Sequence, residues 1–342
     1  MVPPISATED LASGASSGVA TPTLAPLKRV ALPTDLAAFV VDASMPREWP
    51  IGLPPADALT HLSANSRTCV ENFAAHTPDE QPEVGQARRA AVLIAVYQPE
   101  GTEDLRVVLT TRAKHLRRNP GQTALPGGKV DEDDPSPIFT ARREAFEEAG
   151  LPLTSPHVHI LTVLEPVLTV LPMNAHLKNH IVVTPVVAFI SDPALVTTLL
   201  PNPEEVECIF DHPLKAIHTG VVDGELAENL NLTDTNWWPG PTEFHSLEDV
   251  TGSTGSYRMH RFRTRHTPIR GFTSDVLIRA AAVGFDNEPE YGHYAPDQSS
   301  WPESIDRVVQ GLPAALAEPD SGERRLEWRT ATGVRASGQR IE

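Results

Sequence analysis

Cysteine is almost missing: Cys69 and Cys208 are the only two in 342 residues, far apart and without the short spacing of a metal-binding pair. That argues against a disulfide scaffold and fits a reducing compartment. Basic residues are also in short supply, 28 Lys and Arg against 45 Asp and Glu, a formal charge of -17. A general nucleic-acid surface is disfavoured, because binding phosphates across a whole face needs excess Lys and Arg. An anionic ligand must then meet a local basic patch, and Arg112, Lys114, Arg117 and Arg118 form one in the sequence. No apolar run approaches the roughly 18 residues of a membrane span, and the first residues lack a charged start followed by an apolar stretch. A soluble, intracellular protein is expected. What abounds is proline, 33 residues with many before 85 and after 285. The length could hold two domains, but these proline-rich ends argue for one compact domain with extensions.

The order of the chain supports that division. Residues 1–30, rich in Pro, Ser, Ala and Thr without an apolar period, read as disordered. Residues 31–88 carry helical fragments, such as Asp57 to Cys69, between proline-rich links. Ala90 to Tyr97 is a continuous apolar run suited to a central strand buried on both faces, and Leu105 to Thr110 reads as its hairpin partner. His157 to Leu164 and Ile181 to Ile190 are further strands, joined by a loop, Glu165 to His180, that could wall a substrate. Pro203 to Leu214 alternates acidic and apolar residues like a half-buried strand, which splits Glu204, Glu205 and Glu207 between two faces. Gly224 to Tyr257 shows turns but no period and reads as an insertion; Trp237 and Trp238 within it suit packing anchors, or stacking on an adenine. Ser274 to Val283 is a helix opened at Gly271-Phe272-Thr273 and closed by Gly284. Residues 286–342 read as a polar tail with a short helix near Ile305 to Leu316. There is no internal repeat.

The chemistry concentrates between Leu125 and Leu151: a glycine turn, an acidic loop and one short helix. Glu144, Glu147 and Glu148 stand at i, i+3 and i+4, on one side of that helix about a turn apart. Three like charges so close repel, and a divalent cation with oxygen ligands would relieve them; a solvated acidic face is the plain alternative. Asp134 or Ser136 can cap the first turn, Pro135 or Pro137 can occupy it, and Gly150 suits the left-handed position past the last. Arg143, four residues before Glu147, can orient one carboxylate. Ile138, Phe139 and Phe146 supply the buried side.

Gly128, Arg143, Glu144, Glu147, Glu148, Gly150 and Leu151 resemble the Nudix box, G-x5-E-x7-R-E-U-x-E-E-x-G-U with U a bulky apolar residue. From Gly128 to Arg143 the chain is one residue longer than that pattern, with Asp134 nearest its first acidic position, and Ala145 stands where a bulky aliphatic is usual. Upstream, Leu109, Thr110, Arg112, Ala113, Arg117, Gly121 and Pro126-Gly127-Gly128 look like the signature of the coenzyme A diphosphatase branch, with Val108 for a leucine and Leu125 for an aromatic. The one-residue extension is similar to that branch too, and so is GFTSDVLIRAA after Arg270. Two motifs in register are far more specific than a lone glycine pattern.

The resemblance implies an α/β fold, the Nudix α/β/α sandwich on a mixed sheet, over residues 89–285 with the insertion at about 224–257 and loosely packed extensions at both ends. It implies metal-dependent hydrolysis, with Mg2+ or Mn2+, of the diphosphate bond of coenzyme A or its derivatives to 3',5'-ADP and (acyl-)4'-phosphopantetheine. Other nucleoside diphosphate derivatives, oxidised nucleoside triphosphates, or a binding module without catalysis are the competing readings. Glu144 and Glu148 are expected to hold metal, Glu147 to join them or be oriented by Arg143, and the Gly127 or Gly128 carbonyl to add an oxygen. Arg112 and Arg117 are expected to hold substrate phosphates, and the general base is Glu147, Glu205 or no side chain at all. The partner is a small molecule, with no nucleic acid and no membrane; oligomeric state stays open, as does the choice among peroxisome, mitochondrion and cytosol.

Overall fold

A computed structural model describes residues 46–79, 82–231, 243–317, 325–330 and 333–340. The expected disordered segment 1–30 and the pair Trp237 and Trp238 lie outside the described residues.

The first helix, α1 (Ala64–Ala75), starts where the Ser63 side chain accepts from the Ser66 amide. The strand after it, β1 (Arg88–Tyr97), is the axis of the fold. Its antiparallel partner is β2 (Arg106–Arg112), and β2 in turn carries β3 (Thr123–Ala124). The glycine turn contributes β4 (Gly127–Lys129), antiparallel to the start of β1 with Ala90 opposite Lys129 and Val92 opposite Gly127. The carboxylate helix is α2 (Pro137–Ala149). Next come β5 (Val158–Val163), β6 (Val167–Leu168), β7 (Ile181–Ile190), the short α3 (Pro193–Thr197) and β8 (Val206–Pro213). β7 runs parallel to β1 from Arg88 opposite Ile181 to Val96 opposite Phe189, so the eight-stranded sheet is mixed. Its order is β3-β2-β1-β7-β5, with β4 on β1, β6 on β7 and β8 on β2.

Strand alternation divides the core in two. Val92, Ile94 and Val96 point to one side, where α6 (Phe272–Phe285) contributes Val276, Leu277 and Ala280 and α1 contributes Val70 and Phe73. Ala91, Leu93, Ala95 and Tyr97 point to the other, against Ile138, Ala141 and Ala145 of α2. This is the expected α/β/α arrangement. α1 is an integral part of it: a side chain at Gly284 of α6 would meet Cys69 Sγ at 2.6 Å and Phe73 Cζ at 2.8 Å, and Asn72 donates to the Gly284 carbonyl at 2.9 Å.

Between β8 and α6 lie α4 (Leu214–Thr219), α5 (Gly224–Glu228) and the strands β9 (His245–Gly252), β10 (Gly255–Phe262) and β11 (Ile269–Arg270). After α6 come α7 (Trp301–Ala317), β12 (Arg325–Thr330) and β13 (Gly333–Arg340). Two expectations are corrected here. The stretch read as an unpatterned insertion contains the hairpin β9–β10, paired from Gly252 opposite Gly255 to His245 opposite Phe262. The stretch read as a polar tail is built into the molecule. β12 pairs with β9 and carries β13, completing a second sheet of order β11-β10-β9-β12-β13. α7 buries Ile305 and Val308 against Leu168 and Val182. The loop Glu165 to His180 joins the two sheets through the Met173 amide, which donates to the Glu327 carbonyl at 3.0 Å.

Candidate active site

α2 is positioned from both ends. Ser136 caps its start, accepting from the Phe139 amide, Pro137 occupies the first turn, and Gly150 at φ 69° takes the left-handed position that ends it. Ile138 and Phe139 are buried as expected, Phe146 only partly. The packed side leaves Glu144 and Glu148 facing the glycine turn, with the exposed Glu147 joined to Glu144 through Arg143.

That turn and the carboxylates require each other. Gly127 has φ 153°, and a Cβ there would come within 2.6 Å of Val92 Cα. At Gly128 an added Cβ would collide with the Glu144 carboxylate. The close approach lets the Gly127 amide donate to Glu148 Oε2 at 3.1 Å. The other oxygen, Oε1, lies 4.0 Å from Arg112 Nη1, across from the helix at the end of β2.

Arg143 organises the rest. Its Nη1 donates to Glu144 Oε1 and Glu147 Oε2, both at 3.1 Å, and its Nη2 to the Lys129 carbonyl at 3.1 Å. Nε and Nη2 grip both oxygens of Asp134, at 3.1 and 2.9 Å, the bidentate pairing that suits a guanidinium. Thr140 and the Asp131 amide also donate to Asp134. Burial opposes the charge on Asp134, but these bonds hold its carboxyl below the ordinary value. The Asp134 position thus anchors Arg143.

The helix carboxylates are displaced the other way. Burial, opposed by Arg143 and reinforced by Glu147, pushes Glu144 up to about 7. Burial pushes Glu148 up to about 8, against the Gly127 amide, with Glu144 adding repulsion and Arg112 relieving it. Glu147 is raised by the same cause, burial, with Arg143 opposing. Glu205 adds repulsion to all three, which ties it to the cluster.

Glu205 reaches this place differently than expected. Strand β8 begins only at Val206, so Glu204 and Glu205 sit in the turn before it, exposed, and the Glu205 carbonyl accepts from the Ala113 amide at 2.8 Å. Glu207 is turned away and pairs with Lys114 at 2.7 Å. Of the two expected phosphate-binding arginines, Arg112 is at the carboxylates while Arg117 is exposed in the loop after β2. Cys69 is buried, whereas Cys208 is only partly buried, its sulfur 3.8 Å from His266 Nδ1.

The sequence reading missed Asp131, at 3.4 Å from Arg143, and the Lys129 carbonyl; neither residue type signals such a role by its spacing. Among the described residues, no three His, Cys, Asp or Glu side chains already enclose an ion-sized space. The donor set is nonetheless all oxygen, as a hard divalent cation requires, and its mutual repulsion is what a cation would relieve.

Comparison with known proteins now bears on the arrangement. The NUDIX domain model matches residues 87–229, which contain the glycine turn, α2, Arg112 and Glu205. The chain carries a Nudix domain. Its curated relatives include "Nudix hydrolase 15, mitochondrial" of Arabidopsis thaliana, 33% identical over 64% of this chain and 66% of the relative. A second from that plant, "Nudix hydrolase 22, chloroplastic", is 32% identical over 61% of this chain and 60% of its own length. "Uncharacterized Nudix hydrolase NudL" of Yersinia pestis is 44% identical over 37% of this chain and 56% of its own. The chain therefore spans less than two thirds of these relatives. In the Nudix domain the two glycines, Arg143 and Asp134 bring Glu144, Glu147 and Glu148 to one wall and Arg112 to the opposite one. No helix of the described residues is long and apolar enough to cross a membrane.

Proposed function

We propose that this chain hydrolyses the diphosphate bond of coenzyme A or its derivatives, giving 3',5'-ADP and 4'-phosphopantetheine or its acyl form. The observation that carries the reading is Arg112 of the upstream motif standing 4.0 Å from Glu148 of the Nudix box, so that the two motifs form one cleft. A diphosphate resists water because its oxygens repel a nucleophile. Mg2+ or Mn2+, held by Glu144, Glu147, Glu148 and the Gly128 carbonyl, would neutralise that charge and acidify a bound water.

The chain's own groups do the rest. The Gly127 amide fixes one oxygen of Glu148 and leaves the other facing the cleft. Arg143 holds Glu144 and Glu147 in place and favours their charged forms. Arg112 offers a planar, two-pronged contact to the phosphoryl oxygens, and Arg117, in the loop that follows β2, joins it on the substrate. Glu205, exposed beside the carboxylates, is the base that takes a proton from the attacking water; Glu147 is the alternative.

The test is a substrate panel with purified protein and Mg2+ or Mn2+: coenzyme A, acyl-CoA, ADP-ribose, NADH and 8-oxo-dGTP, with products separated by chromatography. Coenzyme A or acyl-CoA should be cleaved fastest, yielding 3',5'-ADP. Faster cleavage of ADP-ribose, NADH or 8-oxo-dGTP would overturn the substrate assignment, and no cleavage of any would favour a binding module. The plant relatives' names place those proteins in the mitochondrion and chloroplast; an organelle of coenzyme A turnover is the compartment that suits the proposed substrate.

A further inference from the structure

Glu205 is exposed and stands on a turn outside any helix or strand, so its place beside the carboxylates is set by what holds that turn. One holder is α2. The Leu200 amide donates to the Ala149 carbonyl at 3.0 Å, and the Asn202 amide to the Glu148 carbonyl at 2.9 Å. Carbonyls in the last turn of a helix find no partner within it, so these bonds satisfy groups that otherwise need water. They also pin residue 202 to the residue whose carboxylate accepts from the Gly127 amide and faces Arg112. The other holder is the loop after β2: the Ala113 amide donates to the Glu205 carbonyl at 2.8 Å, and His115 Nε2 lies 3.0 Å from the Glu204 carbonyl oxygen. The turn therefore joins the two walls of the cleft.

Within the turn, Asn202 is the common acceptor. Pro203 has no amide hydrogen, and each of the three amides after it donates back to Asn202: Glu204 to the side-chain Oδ1 at 3.1 Å, Glu205 and Val206 to the carbonyl at 3.0 and 2.7 Å. A residue before proline is biased towards the extended conformation, and an asparagine side chain that bonds the backbone two residues on builds a turn of its own. Only the Oδ1 contact depends on the side chain. The bonds made by the backbone of residue 202 survive its truncation.

We propose that Asn202 is a positioning residue for the hydrolysis: by fixing the Glu204 amide, its side chain orients the turn so that the Glu205 carboxylate meets the water attacking the diphosphate. The assignment rests on the reading of Glu205 as the base. A carboxylate on a turn that swings freely spends part of its time away from that water, and a misplacement of about 1 Å can cost about a hundredfold in rate. Asn202 itself touches no substrate, and its effect passes through Glu205.

Steady-state kinetics of the full chain test this in Asn202→Ala, Glu205→Gln and the double variant, with Mg2+ or Mn2+ and whichever diphosphate of the substrate panel is cleaved fastest. Glu205→Gln should lower kcat by about a hundredfold, the scale of a general base. Asn202→Ala should lower kcat by about tenfold, with KM within about twofold and native circular dichroism. In the Glu205→Gln background the same change should alter kcat by less than about twofold, because nothing is left for Asn202 to orient. Asn202→Asp or Asn202→Ser, which keep an acceptor oxygen, should recover most of the loss. Without substrate, the Glu204 amide should exchange slowly in wild type and severalfold faster in Asn202→Ala, read by NMR. Wild-type kcat in Asn202→Ala, an equal loss with and without the Glu205 carboxylate, no recovery in either conservative variant, or a Glu204 amide whose exchange ignores Asn202 overturns the proposal. The two readings fail separately. Glu205→Gln with wild-type kcat, or a chain that cleaves no diphosphate, removes the base and the role of Asn202 together; an impaired Glu205→Gln beside an unaffected Asn202→Ala removes only the role of Asn202. Preference for a diphosphate other than coenzyme A changes the substrate and leaves that role in place.

Discussion

Arg143 is a single side chain on which the geometry of the cleft depends, because it touches Asp131, Asp134, Glu144 and Glu147 together. The side chains of Arg143 and Asp134 are 7% and 3% exposed, so the pair is effectively buried. Removing one partner of a buried ion pair strands the other charge and costs about 3 to 5 kcal/mol. Arg143→Ala should lower unfolding stability by about that amount in urea titrations, and Arg143→Lys by less, since lysine keeps the charge and loses the two-pronged grip. A loss below about 1 kcal/mol for Arg143→Ala would mean that Asp134 is not the anchor described here.

At the level of elements, α7 is the structural departure that matters most. Ile305 and Val308 are 0% and 1% exposed against Leu168 and Val182. Truncating a buried isoleucine to alanine costs about 2 to 5 kcal/mol. Ile305→Ala should therefore destabilise the whole chain by that order and expose residues after 285 to protease; a loss under about 1 kcal/mol would show that α7 is not docked. The contrast with α2 explains what was legible. The caps of α2, its box and its glycine turn are local, within some thirty residues of sequence, and each carries its own physical signature. The site of α7 is made by residues more than a hundred positions away, which no local period can display. The hairpin β9–β10 was hidden for another reason: Ser246, His260 and Arg261 are among its buried residues, while Leu247 is 44% exposed, so its interior does not look apolar. Arg263, fully buried, binds the carbonyls of Asn231 and Glu243 on either side of 232–242, a role that composition cannot suggest.

Across the whole molecule, buried histidines set the response to acid. Burial brings His212 down to about 3, His293 to about 3, and His245 and His260 to about 4. Each is neutral when folded and takes a proton when unfolded, so each withdraws stability as pH falls below about 6.5 towards those values. Glu144 and Glu148 act in the opposite sense: raised to about 7 and 8, they hold extra protons in the folded state and add stability as pH falls towards their unfolded values. Isolating one group avoids that cancellation. His212 is 1% exposed and stacks on Phe244 at 5.7 Å. His212→Leu should flatten the loss of stability between pH 6 and 4.5 by up to about 1.4 kcal/mol per pH unit, one proton's worth. An unchanged slope would show that His212 is not held neutral. The central claim, that the carboxylate face of α2 is the centre of diphosphate hydrolysis, is tested most directly by the turnover of coenzyme A with Mg2+ or Mn2+ in wild type and Glu148→Gln. The substitution keeps the shape beside Gly127 and Arg112 but removes the charge. The account predicts a loss of at least about a hundredfold with the fold intact by circular dichroism, whereas near-wild-type turnover in a folded Glu148→Gln protein would contradict it.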